Sequence, residues 1–417
     1  MSNTQKKNVP ELRFPGFEGE WEEKKLGDLT TKIGSGKTPK GGSENYTNKG
    51  IPFLRSQNVR NGKLNLNDLV YISKDIDDEM KNSRTYYGDV LLNITGASIG
   101  RTAINSIVET HANLNQHVCI IRLKKEYYYT FFGQYLLSRK GKRKIFLAQS
   151  GGSREGLNFK EIANLKVFTP TIFEEQQKVG KFFSKLDRQI ELEEQKLELL
   201  QQQKKGYMQK IFSQELRFKD EKGKDYPESL LYKLSEIGTF NTGIGFPESL
   251  QGGKEGIPFF KISDMNNKGN EIIMRNANNY VSNGIIESKK WNIITNVPSM
   301  IFAKVGAAIM LNRKRLVLEP FLIDNNTMSY SFSQEWNINF GRTLFQTIYL
   351  PKYAQVGALP SYNAKDIGLI KIELPVKEEQ KRIGDFFVWF EELIERQILK
   401  LDLLKERKRA ILQKMFI

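Results

Sequence analysis

The sequence predicts an α+β protein: two similar mixed α/β domains separated by an antiparallel two-helix coiled coil. Three observations predict it. The segments Glu174 to Phe212 and Glu378 to Phe416 match without a gap at 16 of 39 positions, a density that unrelated charged helices do not reach. Shorter echoes precede each copy at nearly the same spacing, and short apolar runs between them are bounded by Gly, Asn and Pro. The chain therefore divides into a first domain (1–170), a first long helix (171–214), a second domain (215–375) and a second long helix (376–417).

Taken in order, the first domain opens with Glu11-Leu12-Arg13-Phe14, which returns as Glu215-Leu216-Arg217-Phe218. Lys25-Leu26 followed by Gly34 and Gly36 returns as Lys233-Leu234 followed by Gly243 and Gly245, and Gly50-Ile51-Pro52-Phe53 returns as Gly256-Ile257-Pro258-Phe259. Asn158 to Ile162 is answered by Asn363 to Ile367, each running on to Pro170 or Pro375. Val90 to Leu92, Val118 to Leu123, Met300 to Phe302 and Leu369 to Leu374 are expected strands. Tyr128 to Ala148 and Phe340 to Tyr353 are expected helices. The frame is shared, whereas the segments between the anchors differ widely.

The two long segments lack proline and are rich in Glu, Gln, Lys and Leu, so they favour helix. Their apolar residues follow a 4-3 spacing, with Leu186, Ile190, Leu197, Leu200, Tyr207 and Ile211 in the first and Phe390, Ile394, Leu401, Leu404, Ile411 and Met415 in the second. That is a coiled-coil seam. It is interrupted at Glu193 and Lys204, and at Gln397 and Lys408. Parallel pairing would set Lys204 against Lys408, so an antiparallel intramolecular register is expected, with Glu193 opposite Lys408 and Lys204 opposite Gln397. Helices of this length span ~58 Å, enough to hold two domains apart about a pseudo-twofold axis.

A net charge of +16 and a pI near 9.5 surround the chain with a positive field that favours polyanions, nucleic acid first. Cys119 is the only cysteine, which excludes an internal disulfide and thiolate zinc clusters and fits a reducing, cytoplasmic setting. No apolar run of about 18 residues occurs, so no membrane span is expected.

Signatures of catalysis are missing. Gly34-Ser35-Gly36-Lys37-Thr38 imitates the end of a phosphate-binding loop, but Thr31 stands where the motif needs its first glycine and Pro39 follows where a helix should begin. A glycine turn at a strand end is the better reading. His111 and His117 have no partners at metal-ligand spacing beyond Glu109, and neither a nucleophile-elbow nor a zinc-helix motif is present. The tetrapeptide expected of an amino-group DNA methyltransferase is also absent. Glu194-Gln195-Lys196 mimics part of a nuclease motif only by composition. No metal and no cofactor are expected on this chain.

Polar and cationic loops at element ends are better candidates, because paired donors and acceptors read base edges while lysines hold phosphates. In the first domain these are Arg55, Ser56 and Asn58, then Ser98 and Arg101, Asn115 and Gln116, and Ser153 and Arg154. Their counterparts are Lys261, Ser263 and Asp264, then Lys304, Asn312 and Arg313, Asn325, and Tyr362 and Asn363. The run Arg139 to Lys144, with Arg139, Lys142 and Arg143, suits a phosphate backbone or a plain solvated face. Ordinary turn chemistry is the rival reading of every loop.

Together, Leu12-Arg13-Phe14-Pro15-Gly16-Phe17 with Trp21, the two Gly-Ile-Pro-Phe blocks, Asn113-Leu114-Asn115-Gln116 and two Glu-Glu-Gln helices ending in Gln-Lys-x-Phe resemble the specificity subunit of type I restriction-modification systems over essentially the whole chain. The resemblance implies two target-recognition domains, each reading half of a split double-stranded DNA sequence. It implies two modification subunits carrying S-adenosylmethionine, and restriction subunits that use ATP and Mg. Phe182, Phe183, Phe386, Phe387 and Trp389 then become candidate contacts with those partners, or else packing onto the chain's own domains. Two rivals stand beside this reading: a self-sufficient DNA-modifying enzyme with unfamiliar motifs, and a scaffold that clamps two proteins without reading DNA.

Overall fold

In the computed structural model, which describes residues 8–149, 156–355 and 359–417, the chain forms two compact units. One joins residues 1–196 to 397–417, and the other holds 197–396. Each unit thus takes part of both long helices, Phe173–Phe212 and Lys377–Met415, rather than following four consecutive pieces.

Three sheets and a short hairpin, Val59–Arg60 with Lys63–Leu64, build the first unit. An antiparallel sheet orders Thr30–Ser35, Val118–Leu123, Val90–Asn93 and Thr102–Ile104. A second, mixed sheet orders Val70–Ile72, Ile51–Leu54, Ala112–Leu114 and Arg84–Thr85, with Phe53 beside Asn113 in its parallel pair. The ribbon Glu22–Lys25 with Lys166–Thr169 closes the domain at the helix entrance. The second unit repeats this plan: Gly238–Thr242, Thr327–Phe332, Ser299–Ala303 and Lys314–Val317 in one sheet, then Tyr280–Val281, Ile257–Phe260 and Leu322–Ile323 in another. Its ribbon pairs Leu230–Lys233 with Lys371–Leu374.

The Glu-Glu-Gln motif explains how each long helix is seated. Buried Glu175 accepts from the Arg13 guanidinium at 2.7 and 2.8 Å and from the Trp21 indole at 3.3 Å, and buried Glu379 receives Arg217 in the same way. Gln176 accepts from the Tyr128 amide and donates to Pro170 O, while Gln380 accepts from the Asn337 amide and donates to Pro375 O. The distant Leu-Arg-Phe echo is therefore the partner of the helix echo.

Antiparallel pairing is observed within each unit, in a register displaced from the expected one. Lys408 meets Asp187, six residues before Glu193, and Lys204 meets Glu391 at 2.8 Å rather than Gln397. Glu193 instead accepts from Gln397 at 2.7 Å and pairs with Lys400. Matching like with like along the apolar seam overlooked that each interrupting lysine has an acid of its own on the facing helix. Of the seam positions Leu401 is buried, Leu186 and Ile190 are half-buried, and Tyr207 is exposed although its ring meets Phe386 and Phe390, while Leu192, Leu199, Leu399 and Leu403 stand exposed beside them.

Other expectations need correction. The pattern Tyr128 to Ala148 is two helices, Tyr129–Leu137 and Arg139–Leu147, because the Ser138 hydroxyl, while donating to Tyr135 O in the first, caps the second by accepting from the Gly141 amide. The pattern from Phe340 is a helix, Ile338–Thr347, ended before Pro351 and followed by a short turn of 3-10 helix. Phe183 and Phe387 are fully buried in the two cores, whereas Trp389 is half exposed.

In the first unit, buried Asp77 gathers Arg84, His111 at 3.0 Å and Asn113 at 2.8 Å. Burial pushes the Asp77 carboxyl upward, but these hydrogen bonds outweigh it and hold it below its ordinary range. Its contribution is then complete above pH ~4 and is lost as pH falls through the depressed value. Asp77→Asn should cost about 2 kcal/mol at neutral pH and flatten the acid limb of stability, measured by urea unfolding between pH 3 and 7.

Candidate nucleic-acid interface

At one end of each main sheet several strand exits converge, and the same backbone bonds hold them in both units. After the parallel pair, Asn115 N donates to Leu54 O in the first unit, and Asp324 N donates to Phe260 O in the second. The chain leaving the first strand crosses this point, with Lys37 N on Leu114 O and Ile244 N on Ile323 O. Ile94 N donates to His117 O, as Lys304 N does to Asn326 O, and Leu157 N and Tyr362 N then close the cluster on Ile94 O and Lys304 O. The Lys37 amide is thereby spent on a carbonyl, so this glycine segment cradles no phosphate.

Sequence candidates separate into those that build this end and those that it presents. Asn58 accepts from the Arg55 amide at 2.9 Å, and Asp264 accepts from the Lys261 amide at 2.8 Å, so both are loop staples, fully buried. Burial and the nearby charge of Asp324 hold the Asp264 carboxyl above its ordinary range against that amide bond. Asn115 accepts from the His117 amide, Tyr362 is buried with its hydroxyl on Ala303 O, and Asn363 caps the helix Ala364–Gly368. Asn312 accepts from Leu350 N and from Lys314, whose ammonium burial pushes down to about 8. Each of these six side chains makes an internal hydrogen bond of the kind that turn chemistry predicts.

Presented at the same ends are Arg55, Ser56, Ser98, Arg101 and Gln116 in the first unit, and Lys261, Ser263, Lys304 and Asn325 in the second. Arg55 lies over the Tyr46 ring and donates to Asp68 O, while its Nε has no hydrogen-bond partner among the described residues. Arg101 and Lys304 make no side-chain ion pair among the described residues. Arg313 is exposed and reaches Asn266. Ser153 and Arg154 lie outside the described residues.

Arg139, Lys142 and Arg143 are exposed on the helix Arg139–Leu147, whose Ile145 lies against Gly100 beside the loop cluster. Part of that cationic run is structural, since Lys140 donates to Phe416 O and Lys144 to Lys166 O. Thr38 and His117, read from the sequence only as part of a glycine turn and as a histidine without metal partners, also sit in this cluster: Thr38 donates to Gln116, and His117 Nδ1 meets Thr95 Oγ1 at 2.7 Å. Neither carries a local signal, because the partners lie far away in sequence. Among the described residues no three or more His, Cys, Asp or Glu gather as a metal site, and no helix is long and apolar enough to cross a membrane.

Comparison with known proteins agrees with this duplicated frame. The model of the type I restriction modification DNA specificity domain matches residues 18–202 and again 228–402. A protein of Methanocaldococcus jannaschii, provisionally named the type I restriction enzyme MjaX specificity subunit, is 24% identical over 412 residues, covering 94% of this chain and 92% of its own. The Escherichia coli EcoBI specificity subunit is 31% identical over 131 residues, 31% of this chain and 27% of its own. The crystal structure of the S subunit from M. genitalium superposes with a TM-score of 0.57 at 14% identity, covering 98% of this chain and 99% of that one. A chain from a type I R-M system reaches 0.59 at 15% identity, with coverages of 95% and 97%. With both of its domains matched, the chain belongs to the family of type I restriction-modification DNA specificity proteins.

Proposed function

We propose that each unit reads one half of a split double-stranded DNA target through its loop cluster. The chain thereby directs modification and restriction subunits to that target without chemistry of its own. One observation carries the reading: the same strand-end frame is built twice, yet it presents different side chains, Arg55 and Gln116 in one unit and Lys261 and Asn325 in the other. A shared frame serves equivalent partners, and different contents serve different half-sites. S-adenosylmethionine, ATP and Mg belong on the partner subunits in this reading.

Selection of bound duplexes from a random library, with the assembled complex, should return two short motifs separated by a fixed gap. Affinity for the selected site should exceed that for random duplex by about 1,000-fold or more and fall with salt. Exchanging residues 25–170 for another such domain should rewrite one motif only. A single continuous motif, or rewriting of both, would overturn the proposal.

A further inference from the structure

One surface of the first unit has no counterpart among the described residues of the second. Tyr86 and Tyr87 precede the strand Val90–Asn93, and Tyr127, Tyr128 and Tyr129 lead into the helix Tyr129–Leu137. Both segments lie at the end of the sheet opposite the loop cluster. Tyr87 and Tyr129 meet edge to face at 5.9 Å and share a hydroxyl hydrogen bond of 3.2 Å, and Tyr128 adjoins Tyr129 at 5.2 Å. Tyr86 is 46% exposed and Tyr87 54%. Cavities of about 540 and 490 Å³ flank this aromatic ridge, the first lined in part by Lys181 and Lys185, the second by Lys124 and Lys125.

Charge on these walls is one-sided. The lining carboxylates are already neutralised, Asp89 by Arg122 at 2.7 Å and Glu191 by Lys63 at 2.9 Å and Arg188 at 2.7 Å. Lys124, Lys125, Lys181 and Lys185 form no ion pair among the described residues. Tyrosines ringed by unpaired cations have the composition of a protein-binding hot spot, with phenolic donors and ammonium groups both suited to carboxylates. We propose that this belt is a docking surface for an acidic polypeptide segment of a partner protein, engaged by the first unit alone.

Ring geometry argues for a polypeptide over a nucleic acid strand. Base stacking needs open aromatic faces, but Arg122 lies over Tyr86 at 4.7 Å and Lys24 over Tyr127 at 5.8 Å. Tyr128 is met by the Phe173 ring at right angles. The second unit offers no equivalent: Asn296 and Val297 precede its matching strand, and Trp336 is buried with its indole on Ile237 O.

The test uses the full-length chain, a fluorescent 20-residue peptide rich in glutamate with interspersed phenylalanine, and a 20-nucleotide oligo-dT competitor. Anisotropy titrations at ~150 mM salt, where exposed charges are screened beyond ~8 Å, compare wild type with Tyr87→Ala/Lys124→Glu/Lys125→Glu. A charge-matched control carries Lys222→Glu/Lys224→Glu in the second unit. Thermal melting checks that each variant is folded. The belt variant should weaken peptide binding at least 10-fold, the control less than 2-fold, and duplex affinity should stay within 2-fold for both. Equal weakening by the control, displacement of peptide by oligo-dT at lower concentration than by unlabelled peptide, or a matching loss of duplex affinity in the belt variant would each overturn the proposal.

Discussion

Gly243→Ala is expected to erase recognition of one half of the DNA target while the other half is still read. A Cβ at Gly243 would stand 1.8 Å from Asp324 O and 2.5 Å from Ile323 O, both backbone atoms that cannot rotate away. Those carbonyls belong to the strand exit on which Lys261, Lys304 and Asn325 are arranged, so the crossing chain must lift and take the cluster with it. Each lost base-pair contact costs about 1–3 kcal/mol, and loss of a half-site should reduce discrimination by roughly 100-fold or more. Phosphate attraction, being insensitive to sequence, should survive with its salt dependence. Gly245→Ala is the control, since nothing lies within 4 Å of the added methyl and its backbone lies outside the left-handed region. Titration against duplexes scrambled in one half-site at a time decides the matter. Equal discrimination by wild type and Gly243→Ala would remove the strand crossing from the reading end.

The same glycines show how far the sequence could be read. Their order suggested that Gly34 and Gly36 answer Gly243 and Gly245 one for one. In space Gly36 answers Gly243, since a Cβ at either would press on a carbonyl at 1.8 Å, while Gly34 and Gly245 have open space. Periodicity and repetition made both long helices and strands such as Val118–Leu123 legible, because these depend on local spacing, and the clash of Lys204 with Lys408 in a parallel pair made the antiparallel sense legible. The helix register was not legible. It is set by Asp187 and Glu391 receiving Lys408 and Lys204, pairs that apolar spacing does not encode. Asn and Asp at loop ends can serve as turn staples or as base contacts, and sequence alone does not show which internal bonds each one makes. Asn58 and Asp264 hold backbone amides, whereas Gln116 is presented on the surface.

Phe183→Ala should destabilise the first unit by about 3–5 kcal/mol, the cost of removing a fully buried ring whose site cannot collapse. Phe183 stacks on Phe416 at 5.9 Å and 21°, and Phe416 in turn meets Trp21, Phe131 and Tyr135 edge to face. The final turn of the second long helix is thereby fastened into the first unit's core, reinforced by Leu12 N on Lys414 O and Lys140 on Phe416 O. Its neighbours are rigid rings held by several contacts each, so they cannot close over the cavity without giving up their own packing. Phe387 stacks on Phe212 at 6.0 Å and 17° in the second unit, and Phe387→Ala should cost a similar amount. Trp389→Ala, at a half-exposed ring stacked on Phe386, should change stability much less. Urea unfolding with hydrogen-exchange readout resolves which core loosens, and a cost below about 1 kcal/mol for Phe183→Ala would mean that the helix end is held by its backbone bonds alone. Since the first unit is completed only when residues 397–417 return to it, loss of that aromatic clasp should weaken the frame that aims its loops before it alters any loop residue.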